Sequence, residues 1–527
     1  MKVNLQPLGE SAFKSMPGTQ ARRPRSSDLM NVLRELEDRF PTDEWQVGGI
    51  HIWPLLRQRW FFGEWAVHYT QPTFAARSAA RGYLANVVGG ALAAARATQN
   101  DPRGRDRASA RRDLVFLSDG VSFAQLGGQW VERFCDPLIA LAARRGLSSA
   151  LWTPLHQYHQ PRLTPSRFVQ GRVDRANIWG ALRARISAPD AVLPGNSAVI
   201  GWLSRQDFST HSLQPAKVIS DACRVRTVAD QFKRMLERAR PRLAFLVSFY
   251  SVEGMAFVLA CRECGVPVVD IQHGVQGDLH PAYAAWNKPQ QDRHALLPDR
   301  FWVWSDWERS IIERWSIRTG HAAVVGGNPW MELWREGSTW VGVAEALAQA
   351  KKLRERAHGR PIVLVTLQFG LSPAEQLDPL VELLHAAGSR LTFWVRMHPA
   401  MLDRRAEIRA RLSGHAMIEL DQCSDLPLQA LLQYCDVHLT HSSSTVIEAA
   451  QFGVHSVLTS AYGAELFAPL LATGRTQVHS GVASRLASTL VELAASHNWQ
   501  HAIAPPADAA LDQLLAVTQM SAQRRIA

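Results

Sequence analysis

The sequence predicts an α/β protein made of two doubly wound, Rossmann-like halves with an N-terminal extension. Three observations predict it. From Asp113 onward, short apolar runs alternate with helical stretches, the pattern of parallel strands joined by helices. The alternation closes at Ala322–Pro329 and opens again at Ile362, so there are two series. A chain of 527 residues also has room for more than one core, at roughly 150 residues per domain.

The elements follow in order. Residues 1–27 are rich in Gly, Pro, Ser and Arg and read as a disordered basic tail. Ser27-Asp28 can cap a helix running to Phe40, which Pro41 stops. Residues 28–112 form an aromatic and basic extension with a linker. Within it Glu44 to Tyr69 carries Trp45, Trp53, Trp60, Phe61, Phe62, Trp65 and Tyr69, and Asn100 to Arg112 is Arg-rich.

Residues 113–335 make the first half. Its strand candidates are Leu114–Leu117, Ala150–Trp152, Val199–Trp202, Leu243–Val247, Val268–Ile271 and Phe301–Trp304, with a helix from about Trp130 to Arg145. Residues 336–360 are a helical linker. Residues 361–481 make the second half, with strands at Ile362–Thr366, Leu391–Val395, Met417–Leu420, Val437–Thr440 and Ser456–Leu458. Residues 482–527 read as two helices divided by Pro505-Pro506.

Composition narrows the class. Apolar residues are 46% and charged residues 20%, which suits a packed globular chain. Six Cys are too few for a disulfide scaffold and fit a reduced, cytoplasmic setting. The net charge of +11 is uneven, because residues 1–112 hold 17 Lys+Arg against 10 Asp+Glu. That basic start favours an anionic partner, either nucleic acid or an anionic membrane surface. Lys2 is followed by polar residues, so no signal peptide is expected. Leu243 to Cys261 is apolar, yet Ser248–Ser251 interrupts it, and a strand-turn-helix unit fits better than a membrane span.

Ligands of doubly wound sheets bind beyond the carboxyl ends of the strands, and three motifs stand there. Thr440-His-Ser442-Ser443-Ser444-Thr445 joins a strand to a helix, where free N–H groups and hydroxyls make an anion site or simply a helix cap. Glu448, one turn on, can accept two hydroxyls of a ribose. Arg396-Met-His398-Pro399 follows a strand too, and Arg and His there can face a phosphate. Otherwise His398 is an ordinary loop histidine. Gln272-His273-Gly274 ends a third strand. His273 is a candidate base, and Glu253, after the preceding strand, is another. Gly274 permits a positive φ or close approach of a ligand. Asp278, His280, Tyr283 and Trp286 follow and can line an acceptor pocket.

Other signatures are missing. The chain has no GxxxxGK[ST] loop, no GxSxG elbow and no HExxH. It also has no Asp-x-Asp after a strand. Cys261-x-x-Cys264 has no second Cys pair and reads as structural thiols rather than zinc ligands.

Gln-His-Gly in the first half, with His-Pro and then Ser-Ser-Ser-(x)3-Glu in the second, resembles GT-B glycosyltransferases of bacterial surface polysaccharides. The His-Pro and serine motifs are similar to those of sialyltransferase-like and Kdo-transferase-like enzymes and of teichoic-acid-type glycerophosphotransferases. The resemblance spans about Asp113 to Gly481. It implies a GT-B-like fold with a cleft between the halves, and transfer without a metal or other cofactor from a nucleotide sugar to a glycan or lipid-linked acceptor. It places Arg396, Ser442, Ser443, Ser444 and Glu448 on the nucleotide and His398 on the leaving phosphate. Gln272, Asp278 and Tyr283 fall on the acceptor, and Glu253 or His273 serves as base. The acidic-acidic-Gly motif of sialyltransferases stands here only as Val252-Glu253-Gly254.

Two other readings stay open. A nucleotide-sugar 2-epimerase shares the fold and would need a solvent-shielded site without a large acceptor, and the long aromatic extension argues against it. A nucleic-acid-binding scaffold rests on the basic start alone, and no RRM motif or recognition helix supports it, so no nucleic acid partner is expected. The aromatic extension either packs onto the first half or attaches the protein peripherally to the inner face of the cytoplasmic membrane.

Overall fold

The computed structural model describes residues 25–69, 111–154, 160–287, 295–334, 338–415, 417–479, 481–496 and 507–526. The basic tail up to residue 24, most of the Arg-rich linker, and Pro505-Pro506 lie outside them.

Each half is a parallel sheet in Rossmann order. In the first half the strands are β3 (Leu114–Leu117), β6 (Ser149–Thr153), β7 (Ser166–Phe168), β9 (Leu243–Val247), β10 (Val268–Ile271), β11 (Arg300–Val303) and β12 (Ala322–Val325). They lie side by side as β12-β11-β10-β9-β3-β6-β7, all parallel. The second sheet has β13 (Ile362–Thr366), β14 (Thr392–Arg396), β15 (Ile418–Glu419), β16 (Val437–Thr440), β17 (His455–Leu458) and β18 (Thr476–Val478), ordered β15-β14-β13-β16-β17-β18. In each, the chain starts in the middle, builds one side and returns to build the other. The reversal opens a crevice beyond β3 and β9 in one half and beyond β13 and β16 in the other. Strands β3, β9, β10, β13 and β16 are buried along their whole length, as sheets covered on both faces require.

The extension is part of the first half's core. It comprises α1 (Ser26–Arg39), the hairpin β1 (Gln46–Val47) and β2 (Ile50–His51), and α2 (Trp53–Tyr69). Strand β1 also pairs antiparallel with β8 (Ala191–Val192). Trp45, Trp53, Trp60 and Phe61 are buried in the same cluster as Val258 and Phe301. The packing alternative therefore holds, and these rings are not presented to a membrane. Pro54 does not break the helix. It stands in the first turn, where the N–H it lacks has no intrahelical acceptor.

Three boundaries differ from expectation. Val199–Trp202 is helical, within Asn196–Ser204, with Val199, Trp202 and Leu203 buried at helical spacing. A short apolar run cannot separate the two states by periodicity. Trp130–Glu132, expected to open a helix, are strand: β4 (Phe123–Leu126) and β5 (Gln129–Glu132) form an antiparallel hairpin, and α3 (Cys135–Arg144) starts only after it. Ser27 and Asp28 lie inside α1, where Asp28 Oδ2 accepts from the Arg25 N–H at 2.8 Å.

The long helices that remain are α4 (Gln170–Ile186), α5 (Pro215–Ala239), α6 (Val252–Glu263), α7 (Asp306–Ser316), the linker α8 (Val343–Arg356), α9 (Pro373–Ala387), α11 (Ala483–Ala495) and α12 (Ala507–Ile526), with the short α10 (Thr445–Gln451) following β16. Helix α12 returns to the first half. Ala507, Leu511 and Leu514 join the cluster of Leu114, Phe116 and Leu138, and Arg145 pairs with Asp508 and Asp512, each at 2.7 Å. Val446, Ile447 and Phe467 of the second half share that cluster with Ile271 and Trp304, so the two sets of strand ends face each other. Among the described residues, no helix is long and apolar enough to cross a membrane.

Candidate functional site

In the second half, the crevice is closed by a link across the reversal point. Gln368, just past β13, accepts at Oε1 from the Ser442 N–H at 2.6 Å and the Ser442 hydroxyl at 3.2 Å. The Ser443 and Thr445 hydroxyls are 2.9 Å apart, and the Thr445 N–H donates to Ser443 at 3.3 Å. Ser443 therefore serves partly as a cap. Ser444 is exposed at the head of α10 without a side-chain capping bond. Glu448 lies half-buried in the first turn and accepts from Gln429 Nε2 at 2.8 Å. Burial raises its pKa, against the pull of Arg133, the Gln429 bond and Arg396.

Arg396 and His398 flank this crevice but do different things. Arg396 donates through Nη1 to the carbonyls of Cys423, at 2.7 Å, and Leu426. It splints the short helix Asp421–Asp425 against β14. Burial pulls its pKa down to about 10. His398 accepts at Nδ1 from the Ala400 N–H at 3.1 Å. A neutral ring with that contact carries its proton on Nε2. Partial burial, then Arg133 and Arg396, hold its pKa below the ordinary value. It is thus a neutral N–H donor at the cleft.

In the first half, His273 is held on two sides. Its Nδ1 lies 3.4 Å from the Ile271 carbonyl, which can only accept, so Nδ1 carries the proton and Nε2 accepts from the Tyr250 hydroxyl at 3.0 Å. Burial lowers its pKa, partly offset by Asp119 in the loop after β3. His280, edge-on to Tyr250, is driven down to about 3, by burial first and then by His273 and Arg57. Both imidazoles are neutral near pH 7.

Several expected site residues are used inside the protein instead. Gln272 is buried, donating to the Gly274 carbonyl at 2.9 Å and Glu308 at 3.0 Å while accepting from the Trp304 N–H at 2.7 Å. With its amide used internally it has nothing to offer an acceptor. Tyr283 is equally buried, its hydroxyl donating to Asp270 at 2.8 Å. The extension covers this loop. Arg57 donates to the carbonyls of Pro281, Ala284 (3.1 Å) and Ala285 (2.8 Å) and lies 4.2 Å above the Trp286 ring. Trp286 is therefore a wall of the core, not of a pocket. Asp278 is exposed but ion-paired with Arg314.

Glu253 accepts from Asn177 of α4 at 3.1 Å and so faces the helical layer. No hydrogen bond joins it to His273 among the described residues. Gly254 beside it has a packing reason, because a Cβ there would lie 2.5 Å from the Phe249 carbonyl oxygen. Gly274, in contrast, has no positive φ and faces open space.

The residue that joins the two sides is Arg133, between β5 and α3. Its charge is felt by His273 in the first half and by Arg396, His398 and Glu448 in the second. Its Nε is sealed from solvent without a hydrogen-bond partner among the described residues. The mount is rigid. Glu132 Oε2 accepts from the Phe134 N–H at 3.0 Å and from the Cys135 N–H, and Asp136 accepts from the Glu132 N–H at 2.7 Å. Burial pushes the Glu132 carboxyl up to about 8 and Asp136 to about 6. A guanidinium whose charge reaches two neutral histidines and Glu448 suits a phosphate that must be held without a metal.

No family model matches this chain, and no curated protein matches it. Solved structures do. The UDP-GlcNAc 2-epimerase from Methanocaldococcus jannaschii is 11% identical, over 77% of this chain and 99% of that one, with a TM-score of 0.46. The UDP-GlcNAc 2-epimerase from Neisseria meningitidis bound to UDP-GlcNAc is 12% identical over 77% and 99%, with a TM-score of 0.42. A glycotransferase of kitacinnamycin is 14% identical over 78% and 96%, with a TM-score of 0.39.

Arg133, Asp119, Gln368 and Gln429 were not singled out from sequence. Asp119 and Gln368 stand just past strands, a position that could have flagged them. Arg133 stands within a stretch whose sequence reads as continuous helix, so nothing there marks it.

Proposed function

We propose that the protein is a GT-B-like glycosyltransferase that moves a sugar from a nucleotide sugar to a glycan or lipid-linked acceptor at the inner face of the cytoplasmic membrane. The observation that carries this reading is that the charge of Arg133 acts on His273 in one half and on Arg396, His398 and Glu448 in the other. Arg133 and the Nε2–H of His398 meet the leaving phosphate, and the Ser443 and Ser444 hydroxyls hold its oxygens, on a loop that Ser442 fixes by giving both its donors to Gln368. Glu448 accepts from the ribose, with Gln429 fixing its carboxylate. Charge that develops on the leaving phosphate is then met by fixed donors and a cation, which lowers the barrier most where no solvent must reorganise. His273, neutral with its Nδ1–H on the Ile271 carbonyl, receives at Nε2 the hydroxyl proton of Tyr250, and Tyr250 takes the proton of the acceptor hydroxyl in its place.

A thermal-shift panel of CMP, CDP, UDP and GDP tests the nucleotide assignment. Saturation at about 100 times the dissociation constant should stabilise by roughly 2.7 kcal/mol. No shift with any of the four would remove the donor site.

A second reading has its own support. The extension closes the loop Pro281–Trp286 that an acceptor would otherwise approach, which suits a nucleotide-sugar 2-epimerase. Incubation with a nucleotide sugar alone separates the two: inverted configuration at C2 by NMR, without acceptor, decides for epimerisation.

A further inference from the structure

Helix α4 presents a face that its fold does not need. The opposite face is made of Val173, Ala176, Asn177 and Gly180 and packs tightly on α5. A Cβ at Gly180 would lie 2.5 Å from Thr227 Oγ1, and Thr227 donates to the Ala176 carbonyl at 2.7 Å. That side is complete. The outward side holds Ile178, Trp179, Leu182 and Ile186, which are 49%, 61%, 41% and 73% exposed. Trp179, Leu182 and Ile186 follow each other at three- and four-residue steps, so they form one stripe about two turns long.

Arginines surround that stripe. Arg172 and Arg175 precede it, Arg183 and Arg185 flank its far end, and all four are exposed. Arg234 and Arg238 of α5 stand beside Arg172, as their mutual repulsion with it records. Among the described residues none of these six forms a salt bridge, and Asp174, the one acid of the helix, accepts from Gln170 at 2.8 Å. The face is thus apolar in the middle and predominantly cationic around it, with six arginines against the single acid of the helix, Asp174.

The two properties together select the partner. A second copy of the chain would bring the same arginines against themselves across a two-fold axis, and like charges disfavour that. Indole and branched aliphatic side chains suit the boundary between headgroups and acyl chains, while long arginines keep their guanidinium groups among phosphates. We propose that the outward face of α4 is a docking surface for an anionic lipid bilayer, with Trp179, Leu182 and Ile186 inserted and the arginines on headgroup phosphates. The membrane location in the proposed function thereby passes from the buried extension to α4. The inference deepens that reading only in location, and its test reads lipid binding rather than activity, so either can fail alone.

The experiment is co-sedimentation of the full chain with vesicles of phosphatidylcholine, with and without phosphatidylglycerol. Two multiple variants are compared: Trp179→Ser with Leu182→Ser and Ile186→Ser, and Arg172→Gln with Arg175→Gln, Arg183→Gln and Arg185→Gln. All seven positions are exposed, so thermal midpoints should match the parent and report intact folding. The expected result is binding to anionic vesicles only, reduced at least tenfold in each variant. Absence of binding by the parent overturns the proposal. So does binding that both variants retain, which would assign it to the basic segments outside the described residues. A dimer in sedimentation equilibrium that the serine variant dissolves, without vesicle binding, would give the face to a second copy instead.

Discussion

At the residue scale, burial has set which groups are charged, and that makes roles separable. His273 and Glu253 both follow strand ends, yet only His273 reaches the cleft, whereas Glu253 is held by Asn177 on the helical side. His273→Asn should therefore lower kcat by about 10²–10³ with nucleotide affinity kept, while Glu253→Gln should stay within a few-fold of the parent. Steady-state kinetics with a nucleotide-binding control checks this, and equal losses would restore Glu253 as base. Arg133→Ala should cost about 10²-fold in kcat, as removal of one charged transition-state donor does, with Arg133→Lys recovering part of it. Asp270 gives a pH signature. Burial pushes its carboxyl up to about 8, against the Tyr283 and Phe249 hydrogen bonds. The neutral form is favoured in the folded state, so its contribution is full below the unfolded pKa and is lost as pH rises toward about 8. Depressed histidines act in the opposite sense, but only below about pH 6.5. Thermal midpoints taken from about pH 6.5 to about 8 should fall for the parent and fall less for Asp270→Asn. Parallel slopes would mean that Asp270 ionises normally.

At the scale of elements, the reversal points carry the site. Gln368 after β13 binds the loop after β16, so the serine loop is held by its neighbour rather than by its own helix, which is only seven residues long. Gln368→Ala should weaken nucleotide binding by about 1–2 kcal/mol through loss of an internal bond that positions the loop. Isothermal titration would show it, and unchanged affinity would make the link structural only. This link also explains what the sequence could and could not tell. Strands with continuous apolar runs, such as Leu243–Val247 and Ile362–Thr366, were legible because a two-sided sheet leaves no other composition. The motifs at their ends were legible for the same reason. What was not legible was direction. Gln272 and Tyr283 stand in the right loop, but they turn into the core to meet Glu308 and Asp270. Those partners lie 36 and 13 residues away, and no local pattern announces them. The hairpin β4–β5 was hidden too, because Gln129–Glu132 pairs with a strand whose burial does not alternate.

At the scale of the whole molecule, the two halves are tied at both ends of the chain. The extension reaches the second half through Trp65 Nε1 to the Tyr462 hydroxyl and through the Ser27 N–H to Glu465, both at 3.1 Å. The last helix comes back to the first half through Arg145. The extension is also fixed to the first half itself, and Arg57 is the centre of that link. It is buried, bonds Glu37 at 2.7 Å, and donates to three carbonyls of the loop Pro281–Ala285. Removing one partner of a buried ion pair costs about 3–5 kcal/mol, whereas replacing both by apolar groups is often neutral. Here the second half of that rule should fail. In Arg57→Met with Glu37→Leu the charge problem is gone, but the carbonyls of Pro281, Ala284 and Ala285 still lose their donor, at about 1–3 kcal/mol for each one left buried and unpaired. The double variant should therefore stay destabilised by several kcal/mol in urea unfolding, and the loop after His273 should exchange its amides faster. If the double variant regains the parent's stability, Arg57 serves only to neutralise Glu37, and the extension is a cover over the loop rather than the clamp that shapes it.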